Sequence, residues 1–396
     1  MGFLIMFHRR STRLKNQAYT FIAVLSVVLP LACSHAIRMQ PSSNLSSFLW
    51  PMFGFDQSHT NAYTEEFSPP LQIAWEQKLS SAPAASSIFA YGIVFVPTQE
   101  GRIFAYDVTN GREIGYLKIK AGQNAAPVYF QHSLLFAMES GKPNLYCYNI
   151  TDGKYNWNKN IEEINSPLLL NKVNLYVATL KGTVLCLDPN DGRSMWQWMG
   201  KEPLYAAPVC VDSVIVVGSV DGTITALNSQ SGKEEWQVKE KRTLRGSPAV
   251  NGNKILWGTV EGGMYALSTR SGEKIWEFQT GAKIYSTPAT VDKYVVFGCN
   301  NGKIYALQTE TGTLLWEFQT LSVVNTPPII VGTTVYCGSL DHKLYAVDLS
   351  TGKSLWSFDA GGQIISAPIF TGSHILVATQ NKKVYAFRKE SKSSTQ

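Results

Sequence analysis

Arg245 lies in RTLRGSP (242–248), and 40 residues to either side Tyr205 and Tyr285 hold the same place in YAAP and YSTP. A guanidinium flanked by two phenols suits gripping rather than reacting. Arg forms paired bonds to carboxylates and stacks on rings, and Tyr offers area with a polar tip. Other chemistry is missing from the pattern. His8, His35, His59, His132, His342 and His374 show no HExxH or paired-ligand spacing, so zinc is not indicated. There is no Walker loop, no GxGxxG and no GxSxG. DPNDG (188–192) has the look of a calcium loop, but it is one residue short and has Met199 where the closing Glu belongs. It reads as a turn. Asp56, His59 and Thr60 in FGFDQSHT (53–60) read as a capping segment whose Trp50, Phe53 and Phe55 pack on a sheet. No catalytic, cofactor-binding or metal-binding residue is expected.

The elements that would position Arg245 come from a repeat. DGTITALNSQSGKEEW (221–236) returns as NGKIYALQTETGTLLW (301–316) and DHKLYAVDLSTGKSLW (341–356). Its Trp falls at 157, 196, 236, 276, 316 and 356, spaced by 39 and then 40 residues. Counting back reaches Gly115, a degenerate copy, and then Trp75. Ala105, Cys147, Cys186, Ala226, Ala266, Ala306, Ala346 and Ala386 keep the same step, as do Pro127, Pro167, Pro208, Pro248, Pro288, Pro328 and Pro368. Within one unit, SPAVNG, KILWGT, GMYALS and EKIWEFQT are short runs rich in β-branched and aromatic residues, bounded by turn formers. Four antiparallel strands per 40 residues make a β-propeller blade. The expected fold is all-β: an eight-bladed propeller of four-stranded antiparallel blades spanning 49–390. The last unit stops at VYAFRK (384–389) without a Trp strand, while QIAWEQKL (72–79) has no blade of its own. That N-terminal strand is expected to close the ring by pairing near 384–388. The tryptophans read as cement between blades, not as ligand platforms. Residues 391–396 are expected to be a disordered tail.

The formal charge of +6 comes largely from one end. Arg9, Arg10, Arg13 and Lys15 are four of the 35 basic residues, and the first 33 positions hold no acid. The remainder balances 31 basic against 29 acidic residues, which gives no electrostatic case for nucleic acid. The basic stretch precedes AYTFIAVLSVVLPLAC (18–33), too short for a comfortable membrane span and ordered like an export signal. LPLAC resembles a bacterial lipobox, with Pro30 where Leu is usual, so cleavage after Ala32 and lipid on Cys33 is the leading expectation. Cleavage after Ala36 and an uncut anchor are the alternatives, and all three place the body outside the cytoplasm. Residues 34–48 then form a tether. The other five cysteines are odd in number and scattered, and Cys147 and Cys186 occupy an Ala slot, so no disulfide framework is indicated.

DLSTGKSLW (348–356) and WPMFGFDQSHTNAY (50–63) resemble the repeat and the opening of quinoprotein dehydrogenase-like (PQQ-repeat) propellers. Within that group an exported single propeller is most similar to the BamB family of outer-membrane β-barrel assembly factors. RTLRGSP matches that family's Leu-x-Leu-Arg-Gly docking loop at Leu244, Arg245 and Gly246, with Arg242 at the first Leu. The family's Asp-x-Asp in the next blade aligns with Lys283 and Tyr285. The resemblance implies a non-enzymatic scaffold in the periplasm, lipid-anchored at the outer membrane, docking barrel-assembly machinery and unfolded outer-membrane proteins through Leu244, Arg245, Tyr205 and Tyr285. The alternatives are a PQQ-dependent dehydrogenase, which would need a hub-bound quinone and Ca²⁺, and a ligand-sensing or carbohydrate-binding surface propeller. No adjacent cysteine pair, which such dehydrogenases usually carry, is present.

Overall fold

A computed structural model describes residue 37 and residues 48–119, 125–138 and 141–390. Every regular element among them is a β-strand, and the strands form eight sheets that make the eight blades of a propeller. Blade 5 is representative. Ala249–Asn251 lies innermost, followed outward by Lys254–Gly258, Gly263–Ser268 and Lys274–Gln279, each antiparallel to the last. Burial explains the composition. The second and third strands are buried almost throughout and mostly apolar, whereas the outermost strand is largely exposed and buries chiefly its Trp.

The ring closes as the unpaired Trp strand requires. Leu71–Lys78 becomes the outer strand of blade 8, antiparallel to Lys383–Lys389, with Trp75 opposite Ala386. The innermost strands of blades 8 and 1, Ile369–Phe370 and Ile88–Ala90, also lie side by side at the hub.

Six of the seven repeated tryptophans, all but Trp356, clasp the next blade. The indole of Trp276 donates to the Thr309 carbonyl at 2.8 Å, and that of Trp316 donates to Leu349 at 2.8 Å. Trp75, Trp157, Trp196 and Trp236 make the same bond one blade onward. The glycine of the receiving turn lies flat on the indole. At Gly312, φ is +71°, and a Cβ there would come within 2.6 Å of the Trp276 ring. The Asx geometry that sets this turn is clearest at Asp348, whose carboxylate accepts from the amides of Ser350 and Thr351. Spacing, turn type and Trp therefore form one device.

Residues 48–63 run as a strap across the inner edges of the ring. Leu49–Trp50 pairs with blade 1 and Ala62–Tyr63 with blade 7. Between them the carbonyls of Pro51, Gln57, Ser58 and Thr60 accept backbone amides from blades 2, 4, 5 and 6. Asp56 braces the turn by accepting from the Ser58 and Thr60 amides and from the Thr60 hydroxyl. His59 is wholly buried in the left-handed region, at φ 51°, and its Nδ1–H donates to the Pro248 carbonyl at 3.0 Å. Desolvation holds its pKa below the ordinary value, against opposing contributions from that carbonyl and from Asp56. The expected packing role of this segment is what the structure shows. The five cysteines of the body are buried and unpaired, and burial pushes the thiols of Cys186 and Cys210 up to about 11.

Candidate functional site

Tyr205, Arg245 and Tyr285 come from the loops that enter the inner strands of blades 4, 5 and 6, and they meet at the hub. There they line a cavity of about 240 Å³ whose wall also includes Phe53 of the strap, Thr287, Pro327 and Ile365. The Arg245 guanidinium stands 4.8 Å from the centre of the Tyr205 ring. Arg245 is exposed, and both tyrosines are half-buried. Among the described residues Arg245 makes no ion pair and is the one charged side chain lining the cavity. The hub mouth thus carries one uncompensated positive charge on an aromatic and apolar wall.

The loop that presents Arg245 is held on both flanks. Leu244 points into the core and is only 2% exposed, so it seats the loop and offers a partner no surface. Trp257 lies beneath it and donates its indole N–H to the Gly246 carbonyl at 2.7 Å. On the other flank the Thr243 amide donates to Glu261 Oε2 at 2.9 Å, and Arg242 pairs with Glu277 at 3.5 Å. Lys274, Gln279 and Tyr265 also bond Glu277, and with Lys274 the largest influence they hold its carboxyl down at about 2. Ser247 Oγ accepts from the Ala207 amide, fixing blade 5's loop against blade 4's. Arg245 is therefore an exposed side chain on a loop fixed at both flanks.

Two contributors were not read from the sequence. Phe53 was assigned to packing alone, yet it also lines the hub. Trp257 was passed over as strand composition. Its position in the repeat is held by Val217, Phe297 and Cys337 in the neighbouring blades, so a Trp off the regular Trp register was the available signal. Lys283, aligned with the first acid of the family's Asp-x-Asp, is exposed, and Tyr285, aligned with the second, lines the cavity, so the mouth is basic and aromatic where that motif would be acidic. Cys33 lies outside the described residues.

The family model described as "Outer membrane protein assembly factor BamB" matches residues 71–198, 199–326 and 319–393. The chain belongs to this family of PQQ-repeat propellers. No curated protein sequence matches. Among solved structures, BamB from Moraxella catarrhalis is similar at 18% identity over 80% of this chain and 99% of that one, with a TM-score of 0.70. A europium-containing methanol dehydrogenase is similar at 12% identity over 86% and 98%, with a TM-score of 0.75. A quinohemoprotein alcohol dehydrogenase from Comamonas testosteroni is similar at 13% over 88% and 82%, with a TM-score of 0.72. At these identities the likeness is one of fold.

The enzymes in that set raise the question of whether this hub could hold a quinone with its cation. A quinone–Ca²⁺ site needs carboxylate and amide oxygens converging on the metal. The cavity wall here contains no Asp or Glu, and no group of three or more His, Cys, Asp or Glu able to hold a metal occurs among the described residues. The residues present do not fit that cofactor.

Proposed function

We propose that this chain is a non-enzymatic scaffold of the cell envelope, lipid-anchored through Cys33 at the periplasmic side of the outer membrane, that assists assembly of outer-membrane β-barrel proteins by protein–protein contact. Family membership and the likeness to a BamB structure support the class of work. The observation that carries the docking site is the unpaired Arg245 guanidinium over Tyr205 on a rigid loop at the hub mouth.

The mechanism is that of an interface hot spot. A partner loop entering the mouth would bring a carboxylate to the Arg245 fork and lay apolar or aromatic area on Tyr205, Tyr285 and Ile365. Arg and Tyr anchors of this kind are each worth about 2 kcal/mol or more when truncated, because they are desolvated by the partner and pre-positioned before it arrives. Leu244 takes part by holding the loop. A basic, aromatic mouth selects an acidic partner segment.

Capture of envelope proteins by the purified chain, compared between wild type and Arg245→Glu, tests this reading. Recovery of barrel-assembly components by wild type, lost in the variant, is the expected result. Equal recovery removes the hub mouth as the docking site. An empty wild-type lane favours the ligand-sensing reading, for which the same cavity would take a small anion.

A further inference from the structure

The Trp clasps fail at two seams: between blades 7 and 8 Trp356 makes no such bond among the described residues, and between blades 1 and 2 the Trp itself is missing. In blade 1, Gly115 stands opposite Ala105, in the register where Trp236 stands opposite Ala226. No indole therefore crosses from blade 1 to blade 2 at that position. At this seam lies Ile37, from the chain that precedes the ring. It is 0% exposed and packs in an apolar cluster that joins Ala105 and Leu117 of blade 1 to Phe136 and Ile150 of blade 2. Its carbonyl accepts a bond from the Tyr148 hydroxyl at 3.1 Å. Ile150 holds the repeat position of Ser229 and Thr269, whose carbonyls receive the indoles of Trp196 and Trp236. Ile37 thus belongs to the same apolar cluster as the residue that would receive the missing clasp.

We propose that Ile37 is a plug that pins the chain upstream of the ring to the blade 1–2 seam, turning the expected free tether into a short leash. An extended chain spans at most about 3.6 Å per residue, so Ile37 lies within about 14 Å of Cys33 along the chain. Given the lipid anchor proposed above, on which this part rests, only four residue steps of chain separate the lipid from the seam. Blades 4 to 6, which carry the hub-mouth residues, belong to the opposite half of the ring.

Hydrogen exchange on the full chain tests the plug. Ile37→Asp is expected to speed exchange at least tenfold in Arg102–Asp107 and Leu145–Asn149 while leaving Gly263–Ser268 unchanged, and Ile37→Val is expected to alter none of them. Unchanged exchange in Ile37→Asp, or an equal rise in every blade, would overturn the proposal. Should Ile37→Asp fail to fold, a photo-crosslinking amino acid at Arg38 gives a second test. Products confined to peptides of blades 1 and 2 support the plug, while products scattered round the ring, or none, contradict it. Cys33→Ala separates the two parts: detachment from membranes with seam protection retained supports both. Continued attachment with protection retained removes the leash and the anchor reading but leaves the plug standing.

Discussion

The rim and the hub of this ring are held together by opposite means. At the rim one contact is repeated: an indole over a turn glycine, bonded to a carbonyl in the next blade, as at Trp276 with Gly312 and Thr309. At the hub the ring's half of the contact repeats, the amides of Tyr129, Cys210, Val250, Thr290 and Ile330 sharing one place in the repeat, but the strap's half is a non-repeating sequence. The strap bonds blades 1, 2, 4, 5, 6 and 7 through different residues, and it runs through left-handed backbone at Phe55, His59 and Asn61. The rim shows how periodic sequence builds a rigid ring. The hub shows that individuality, and with it recognition, sits where the period is broken.

The largest expected effect tests what the ring owes to its N-terminal segment. A chain starting at residue 81 lacks both the strap and the outer strand of blade 8, leaving the outer side of Lys383–Lys389 unpaired and the inner edges bare. That loss exceeds a typical net stability of about 5–15 kcal/mol, so no cooperative unfolding transition should be seen by circular dichroism.

Next comes the contrast within the rim. Trp276→Ala removes a buried clasp and should cost about 3–5 kcal/mol in urea unfolding. Trp356 is half-buried and packs on Phe358 and Phe387, and blade 8 ends without a turn to receive its indole. Its replacement by Ala should cost about 1–2 kcal/mol. Equal losses would mean that the clasp contributes nothing beyond apolar burial.

A smaller effect concerns the hub. His59 is buried neutral, with its pKa lowered by desolvation. The unfolded chain binds a proton near the ordinary pKa of about 6.5 and the folded chain only below that. Stability is therefore fully present above about pH 6.5 and declines as pH falls through and below it. His59→Ala should cost about 1–3 kcal/mol at pH 7.5, since the Pro248 carbonyl loses its donor, and should flatten the fall in Tm between pH 7 and pH 5. A wild-type Tm that does not fall over that range would show that another group compensates.

The rim was legible because the Trp, the turn glycine and the Ala slot repeat at one spacing, and strand closure followed from counting one Trp strand too many and one too few. Arg245 was legible as a departure within the slot that Tyr205 and Tyr285 share. Other features were hidden because the sequence does not write tertiary neighbours. Leu244 sits beside Arg245 in the chain yet faces the core, since the loop is anchored from below by Trp257. Phe53 reaches the cavity only because the strap crosses the hub. Ile37 lies at the seam where Gly115 stands in place of an indole, a neighbourhood visible only once blades 1 and 2 are side by side.

The central claim is that the hub mouth grips a protein through Arg245. Its side chain is exposed and makes no ion pair among the described residues, so Arg245→Glu should leave unfolding unchanged within about 0.5 kcal/mol. The deciding measurement is partner affinity of that variant beside wild type, using the envelope component that wild type captures. The account predicts at least a thirtyfold weaker Kd, the equivalent of about 2 kcal/mol, with the ring intact. An unchanged Kd would contradict it.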